Sequence, residues 1–281
     1  MRANEGNDEE KNTLLDKVGP WTEIKLEIIQ KYGAAYSTIL SKQSYIEYVY
    51  IDAFAGYGKH KSKTTQDIIK GSPRLALEVE PPFKHYYFID IDNLKVLSLR
   101  ELELIRPDCV DVLTGDANKI LVEKILPTIQ LDQYRRALCL LDPYGLHLDW
   151  SVINLAGQLG TTEIFLNFPI MDMNRNVLTR DPSNIDPQQA QRMTAFWGDE
   201  SWRAAAYSKV PDFFDDIEEK ETNTAVVEAF CKRLKNVAGF NHVAPPLPMK
   251  NSNNAVLYYL IFASPKKTAN KIVKDIFDKY R

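Results

Sequence analysis

Four apolar stretches of the sequence each end in an acidic residue, and these acids are the first candidates for chemistry. The four acids are Asp52, Asp90, Asp116 and Asp142. Runs of branched and aromatic residues like those before the acids are typical of buried parallel strands. Because parallel strands place their carboxyl ends along one edge of a sheet, we expect the four carboxylates to converge on one ligand site.

A glycine turn follows the first acid and narrows the choice of ligand. Gly56 and Gly58 allow the backbone to turn sharply and to approach a ligand closely. A dinucleotide site needs a helix that opens directly after such glycines, whereas here the polar, lysine-rich stretch 59–71 follows. The phosphate-binding pattern G-x-x-x-x-G-K-S/T is absent from the sequence. Neither kind of nucleotide-phosphate site is therefore indicated.

S-adenosylmethionine carries no phosphate and suits the same acids better. Its amino-acid end needs a glycine turn beside an acid, its ribose needs a carboxylate, and its adenine amino group needs an acceptor. The stretch 52–58 supplies the glycine turn and its acid. Asp90 or Asp92 supplies the carboxylate for the ribose, and Asp116 supplies the acceptor for the adenine amino group. S-adenosylmethionine is thus the predicted cofactor. Its predicted contacts are Asp52, Phe54, Ala55, Gly56, Gly58, Asp90, Asp92, Asp116 and Ala117.

The fourth acid begins the sequence Asp142-Pro143-Tyr144-Gly145. In enzymes that methylate nucleobase amino groups, the corresponding turn has Asp or Asn, two prolines and an aromatic residue. There the acid and a proline carbonyl accept hydrogen bonds from the amino group, and the aromatic ring stacks on a flipped base. Here Tyr144 replaces the second proline. The predicted catalytic residues are Asp142, Pro143 and Tyr144; alternatively, the turn only ends a strand in a protein with another substrate.

Alternating strands and helices predict how these residues are positioned. Strands are expected near 45–52, 85–90, 109–114, 137–141 and 163–168, with helices between them. An amphipathic helix over 20–40 precedes them, and its Lys25 and Lys31 fall off the apolar stripe, so we expect both to be solvated. In the helix over 93–105, the residues expected to point inward are Leu94, Leu97, Leu102 and Ile105.

The C-terminal part completes the predicted fold. Two late strands within 243–263 indicate an antiparallel hairpin at one sheet edge. We therefore predict an α/β, Rossmann-like class I methyltransferase fold with a mostly parallel seven-stranded sheet. Residues 1–19 are predicted to form a disordered tail, and 20–281 a single domain.

The polar stretch 170–216 interrupts the alternation and is predicted to be an inserted helical segment on the substrate side. It has short helices near 187–197 and 199–208. Its cations and its two tryptophans, Trp197 and Trp202, are able to grip nucleotides, or the tryptophans simply pack the insertion against the sheet. The segment also contains Arg175, Arg180 and Arg192.

The stretch 59–71 is predicted to be a long loop. Its cations, together with one from the following helix, are Lys59, Lys61, Lys63, Lys70 and Arg74. They form either a solvated loop or a patch that contacts the phosphates of DNA or RNA.

Composition limits the remaining possibilities. The chain has 281 residues, 44% of them hydrophobic, and a net charge of −3, which argues against a generally basic nucleic-acid coat. Its N-terminus does not resemble a signal peptide, and no apolar run is long enough to span a membrane. Scattered cysteines indicate reduced thiols and a cytoplasmic location, and the histidines show no metal-ligand spacing, so no metal is expected.

The residues also carry a family resemblance. Ile51-Asp-Ala-Phe-Ala-Gly-Tyr-Gly58 resembles the first motif of class I S-adenosylmethionine-dependent methyltransferases. The wider pattern resembles the three-Cys-motif partner proteins from about residue 20 onward, including Gly71-Ser-Pro, Leu141-Asp-Pro-Tyr-Gly145 and Asn167-Phe-Pro. The resemblance implies a methyltransferase-like fold. The three-Cys motif of that family belongs to the partner, so the three cysteines here are not that motif.

Two functions are consistent with these observations. The first is S-adenosylmethionine-dependent methyl transfer to an amino group of a nucleic-acid base. The alternative is a catalytically degenerate partner or adaptor that works with a radical-S-adenosylmethionine-like or defence-system protein. A neutral, closed pocket would instead favour a small-molecule or protein substrate.

Overall fold

The computed structural model describes residues 15–210 and 217–281. Its strands are β1 (Lys17–Val18), β2 (Glu47–Asp52), β3 (Lys59–Ser62), β4 (Ile68–Lys70), β5 (His85–Asp90), β6 (Val110–Thr114), β7 (Arg135–Leu141), β8 (Thr162–Phe168), β9 (Tyr207–Val210), β10 (Ile217–Lys220), β11 (His242–Val243), β12 (Leu247–Lys250) and β13 (Val256–Ser264). Its α-helices are α1 (Pro20–Leu40), α2 (Ser72–Leu77), α3 (Asn93–Leu99), α4 (Ala117–Ile120), α5 (Trp150–Leu159), α6 (Ile170–Asn176), α7 (Pro187–Trp197), α8 (Trp202–Ala206), α9 (Asn223–Asn236) and α10 (Lys267–Phe277).

The central sheet has the order β6-β5-β2-β7-β8-β13, with β11 and β12 both on the free edge of β13. The first five strands are parallel, and β13 runs antiparallel to β8. The α/β prediction with a C-terminal antiparallel hairpin is thus confirmed. The sheet has eight strands rather than the predicted seven, because Pro245 and Pro246 cannot donate to the ladder and split one edge strand into β11 and β12.

Helices cover both faces of the sheet. On one face α1, α2, α3 and α10 enclose one apolar core, and on the other face α4 to α9 enclose a second. The inner strands β2, β7 and β8 are almost entirely buried, as expected for strands covered on both sides. The carboxyl ends of the parallel strands are therefore held by two packed layers.

The helix that follows β5 is shorter than predicted and is rotated about its axis. Of the four residues expected to point inward, Leu102 is buried, whereas the other three are more than half exposed. The buried residues of α3 are instead Val96 and Leu99. The Asp92 carboxylate caps the helix by accepting from the Leu94 amide at 2.8 Å, which fixes where the first turn begins. A 3-10 turn then replaces the α-helix from Arg100.

The stretch predicted as a long loop forms two strands. β3 and β4 pair as an antiparallel hairpin, and β1 adds to β3 in parallel to give a three-stranded sheet, called here the small sheet. The Gly71 amide closes the base of the hairpin by donating to the Gly58 carbonyl at 2.9 Å. Since β1 is ordered, the predicted tail is wrong for residues 15–19, and residues 1–14 lie outside the described ranges.

The insertion contains α6, α7 and α8 and the hairpin of β9 and β10. Helix α7 matches the prediction. Residues 217–220 pair with β9, and Thr222 then caps α9, which begins at Asn223. Trp197 and Trp202 are buried, and their indole groups donate to Ser201 and Thr194. Packing is therefore the observed role of both tryptophans. Residues 211–216 of the insertion lie outside the described ranges.

Within 15–210 and 217–281, no helix combines the length and the apolar character needed to cross a membrane. In the same ranges, no group of three or more histidine, cysteine or acidic side chains is arranged to hold a metal ion. The three cysteines are free thiols.

Candidate functional site

A cavity of about 680 Å³ opens at the carboxyl edge of the central sheet. The segments after β2, β5, β6 and β7 form its floor, and the first turn of α1 and the small sheet form its sides. The predicted site residues that line it are Phe54, Ala55, Gly56, Asp90, Asp116, Ala117, Asp142, Pro143 and Tyr144. Asp52, Gly58 and Asp92 are not among the lining residues.

The structure separates the two acids that follow β5. Asp90 lines the cavity and is 8% exposed. Its Oδ2 accepts from the Gly56 amide and its Oδ1 from the Asp92 amide, both at 2.9 Å. Asp92 instead serves as the cap of α3. Asp90 therefore joins the glycine turn to the end of β5 and is the carboxylate that a ligand in the cavity can reach.

The end of β6 supplies the second acidic wall. Asp116 caps α4 by accepting from the Asn118 amide at 2.9 Å, and it lines the cavity together with Ala117. The side chain of Ile91, which directly follows Asp90, also lines the cavity and is 73% exposed. This end of the cavity thus offers two carboxylates and an apolar surface.

The glycine turn is held in a left-handed backbone conformation. Gly56 has φ +63° and Gly58 has φ +68°, a region that side-chain-bearing residues rarely adopt. A Cβ on Gly58 would lie 3.3 Å from the Leu99 side chain. Gly56 therefore faces the cavity, while Gly58 allows the close packing of α3 and the base of the small sheet.

Asp52 lies behind the cavity wall, fully buried. Neither carboxylate oxygen makes a hydrogen bond of standard geometry, although the Ser72 hydroxyl and the Phe54 amide lie near it. Burial raises the pKa of Asp52 to about 7. Ser72 opposes this rise, whereas the negative charge of Asp142 adds to it. Asp52 is thus a buried acid close to the site but without direct access to a ligand.

Asp142 is held by two side chains from distant parts of the chain. Its Oδ2 pairs with the Lys25 ammonium, and its Oδ1 accepts from Asn167 Nδ2 at 2.7 Å. The Lys25 side chain is 7% exposed and that of Asp142 is 24% exposed. Asn167 is on β8 and Lys25 on α1, so the turn after β7 is fixed by its neighbour strand and by the first helix.

Lys25 is the functional candidate that sequence reasoning missed. The prediction that it is solvated is wrong, whereas Lys31 on the same helix is exposed and pairs with Glu27 at 2.7 Å. Helical periodicity places Lys25 off the apolar stripe, but a second polar side of the helix faces the cavity, where Thr22 also lies. The available signal was an acid, Asp142, that gains from a cationic partner once it is partly shielded from water.

Comparisons with known proteins support the fold. No protein-family model and no curated protein sequence matches the chain. Protein LPL1258 of Legionella pneumophila, from family DUF519, shares 11% identity over 91% of each chain, with a TM-score of 0.53. An S-adenosylmethionine-dependent methyltransferase of Clostridium acetobutylicum shares 10% identity over 83% of this chain and 91% of its own, with a TM-score of 0.37. The first match is close enough to show a shared fold.

The sheet has the class I methyltransferase fold. Five parallel strands, with the first in the middle and a reversed strand next to the far edge, give the arrangement that distinguishes this fold from the all-parallel dinucleotide-binding sheet. The cavity lies where the strand order reverses, on either side of β2, which is the usual ligand position in open α/β sheets.

Tyr144 lines the cavity and is 90% exposed. The following residue, Gly145, has φ +62°, and a Cβ there would lie 2.6 Å from Asp172 Oδ2. The turn therefore requires glycine at the position where an aromatic ring is expected in base amino methyltransferases. The exposed ring is one position earlier in the chain.

The predicted cations are only partly available. Lys70 pairs with Glu78 at 2.6 Å, and Arg74 lies 3.5 Å from Glu101. Lys63 lies over the Trp21 ring, 5.9 Å from its centre. Arg175, Arg180 and Arg192 do not line the cavity, and Arg192 donates to Gln189.

The outer face of the small sheet keeps its positive charge. Its residue pairs alternate, so that Val18 and His60 line the cavity while Lys17 and Lys61 lie side by side on the opposite face. Lys59 is on that same outer face. Among residues 15–210 and 217–281, no carboxylate forms an ion pair with these three lysines.

Proposed function

We propose that the protein is an S-adenosylmethionine-dependent methyltransferase that acts on an amino group of a nucleic-acid base. One observation carries the proposal: Asp142, Pro143 and Tyr144 line the same cavity as the glycine turn, Asp90 and Asp116. A cofactor subsite and an amino-group subsite thus share one space. S-adenosylmethionine supplies the methyl group when bound.

The lining residues fit this cofactor. A cavity of about 680 Å³ lies within the usual range of roughly 300–1,000 Å³ for small-molecule sites. Asp90 is placed to accept from the ribose hydroxyls, and Asp116 from the adenine amino group. Ile91 offers an apolar surface to the adenine ring, and the bare backbone at Gly56 leaves room for the amino-acid end.

The turn after β7 provides acceptors for the target amino group. Each carboxylate oxygen of Asp142 has two lone pairs, of which Lys25 and Asn167 use one each. The remaining lone pairs and the Pro143 carbonyl can accept both hydrogens of an amino group. Tyr144 then offers its exposed ring for stacking on the base. Lys25 and Asn167 act as positioning residues, because they fix the direction of the carboxylate.

The methyl acceptor is proposed to be DNA or RNA because the outer face of the small sheet is positively charged. Like charges that face each other across strands are destabilising unless a counter-charge is present. Lys17 and Lys61 form such a pair, and so do Lys59 and Lys70, although Lys70 also pairs with a glutamate. A phosphate backbone supplies the counter-charge.

Replacing Lys17, Lys59 and Lys61 together with alanine should weaken nucleic-acid binding and make its affinity less dependent on salt concentration.

The cofactor assignment is tested by titration calorimetry with a matched pair of variants. We expect Asp90→Asn to weaken S-adenosylmethionine binding by about tenfold or more, since one carboxylate–hydroxyl interaction is lost. Asp92→Asn is the control, because Asp92 caps α3 outside the cavity and asparagine also caps helices. An equal loss in both variants would contradict the assignment of Asp90.

The transfer step is tested with methyl-labelled cofactor on pooled RNA and on single- and double-stranded DNA. Asp142→Ala should abolish labelling while cofactor affinity stays nearly unchanged. Asp149→Ala is the matched control, since Asp149 belongs to the same connection after β7 but makes no capping hydrogen bond. Transfer that survived in Asp142→Ala would refute this site.

A non-catalytic partner protein is the second candidate, in keeping with the resemblance to the three-Cys-motif partner proteins. The observation that favours it is the apolar surface of Ile91, Leu94 and Leu97, each more than half exposed, beside the cavity. If wild-type protein binds the cofactor but labels no nucleic acid, a protein that covers this surface becomes the better explanation. The cytoplasmic location also remains a prediction.

A further inference from the structure

Three polar side chains that line the cavity have no role in the proposed chemistry. They are Thr22 of α1, His60 of β3 and Ser72 at the start of α2, and together they are called here the corner. The corner lies beside the glycine turn, because β3 begins directly after Gly58 and the Gly71 amide, just before Ser72, donates to the Gly58 carbonyl. The corner therefore combines hydroxyl and imidazole groups.

His60 is the unexplained side chain in this corner. It is partly buried, and its Nδ1 is shielded from solvent and has no hydrogen-bond partner among the residues that the structure describes. Nε2 is then the ring nitrogen that can reach a molecule in the cavity. A histidine that only filled space in a core would be expected to have its buried nitrogen paired.

Charged groups from four elements face His60. Burial lowers the pKa of His60 the most, and the positive charges of Lys25 on α1 and Lys95 on α3 lower it further. The negative charges of Asp142 after β7 and Asp16 before β1 act in the opposite direction. The ring is therefore neutral at neutral pH, and with its proton on Nε2 it can donate to an anion in the corner.

We infer that His60 binds the α-carboxylate of the amino-acid end of S-adenosylmethionine, with the hydroxyls of Thr22 and Ser72 beside it. The inference rests on the proposed function, since it requires this cofactor in the cavity. It assigns a role to the small sheet as well: its outer lysines face solvent, while its inner histidine completes the cofactor site.

The test is calorimetric and needs no methyl acceptor. The affinities of S-adenosylmethionine and of its decarboxylated analogue are measured for the wild type and for His60→Ala at pH 7.5. The wild type should prefer the carboxylate-bearing ligand by about tenfold or more, as expected for a charge-assisted hydrogen bond. In His60→Ala the preference should fall close to one, whereas the affinity for the analogue should stay near its wild-type value.

His147→Ala is the matched control. His147 lines the same cavity, but its carbonyl accepts from Asn118 next to Asp116. This variant should keep the wild-type preference. An unchanged affinity for the analogue also shows that His60→Ala is folded, so a lost preference is not a folding defect.

A wild-type preference retained in His60→Ala would overturn the inference while leaving the proposed function intact. If the wild type bound neither ligand, the proposed function and the inference would both fail.

Discussion

Two buried carboxylates lie at opposite edges of the central sheet, one near the carboxyl ends and one near the amino ends of its parallel strands. Asp52 is the last residue of β2 and lies beneath the cavity, whereas Glu163 is the second residue of β8. Burial raises the pKa of each to about 7. In both acids, burial is the largest cause of the raised pKa, whereas their hydrogen-bond partners differ.

The partners decide what each acid contributes. Glu163 accepts from the Tyr32 hydroxyl of α1 and from Ser264 of β13 at 3.1 Å, and both hydrogen bonds lower its pKa against the effect of burial. The Ser72 hydroxyl and the Phe54 amide also lower the pKa of Asp52, but neither makes a hydrogen bond of standard geometry with it. A paired buried acid connects a helix to two strands, while an unpaired one is a net cost. Residues that lower stability in this way are common at functional sites, where the function rather than the stability of the fold determines which residue is present.

The largest effect is expected at the paired acid. Glu163→Ala removes two hydrogen-bond acceptors and leaves a cavity, so we expect a loss of about 3 kcal/mol in the free energy of unfolding at pH 5. At that pH the folded protein holds Glu163 protonated, and no relief of buried charge offsets the loss. Urea denaturation measures it.

Glu163→Gln is the control for that experiment, because its amide can accept from Tyr32 and donate to Ser264. It should cost less than about 1 kcal/mol. A similar large loss in both variants would show that the charge or shape at this position matters more than its hydrogen bonds.

The unpaired acid should give the opposite sign. Asp52→Asn should raise the free energy of unfolding at pH 8, and by roughly 2 to 3 kcal/mol more than at pH 5. Replacing Glu163 removes hydrogen bonds, whereas replacing Asp52 removes none of standard geometry. Urea denaturation at both pH values tests this, and destabilisation at pH 8 would mean that Asp52 has a partner after all.

The pH dependence follows from the direction of both shifts. Each folded pKa is raised above the unfolded value, so the folded protein binds more protons between about pH 4 and pH 7. Stability from these two groups is therefore highest at the acid end of that window and falls as the pH rises through it. Asp52→Asn should reduce the slope by up to about 1.4 kcal/mol per pH unit.

Much of the fold could be predicted because its signals are local. The five parallel strands coincide with apolar runs of the sequence, and the acids that come after four of them mark the edge of the sheet where the candidate site lies. The small sheet could not be predicted, because β1 and β4 have only 2 and 3 residues and depend on pairing with β3. The residues of α3 that face the core were also mispredicted. The helix contains several leucines, and the cap at Asp92 determines where the helix begins and therefore which of its residues are buried.

The candidate site was predictable residue by residue but not as a network. Asp90, Asp116 and Asp142 line the cavity as their positions after strands predicted. Asp52 has the same sequence signal and is buried behind the wall, because local pattern does not tell a lining side chain from one beneath it. Lys25 reaches Asp142 across 117 positions of sequence, and no spacing rule covers such a distance.

The smallest changes in the free energy of unfolding are expected when the serine beside each buried acid is replaced. Ser264→Ala should cost about 1 kcal/mol, because it removes a bond of standard geometry to Glu163. Ser72→Ala should change stability by less than about 0.5 kcal/mol at pH 5, where Asp52 is neutral and has no such bond to lose. Both are measured by urea denaturation. Equal losses would show that Ser72 is a true partner of Asp52, and the contrast between the two ends of the sheet would then disappear.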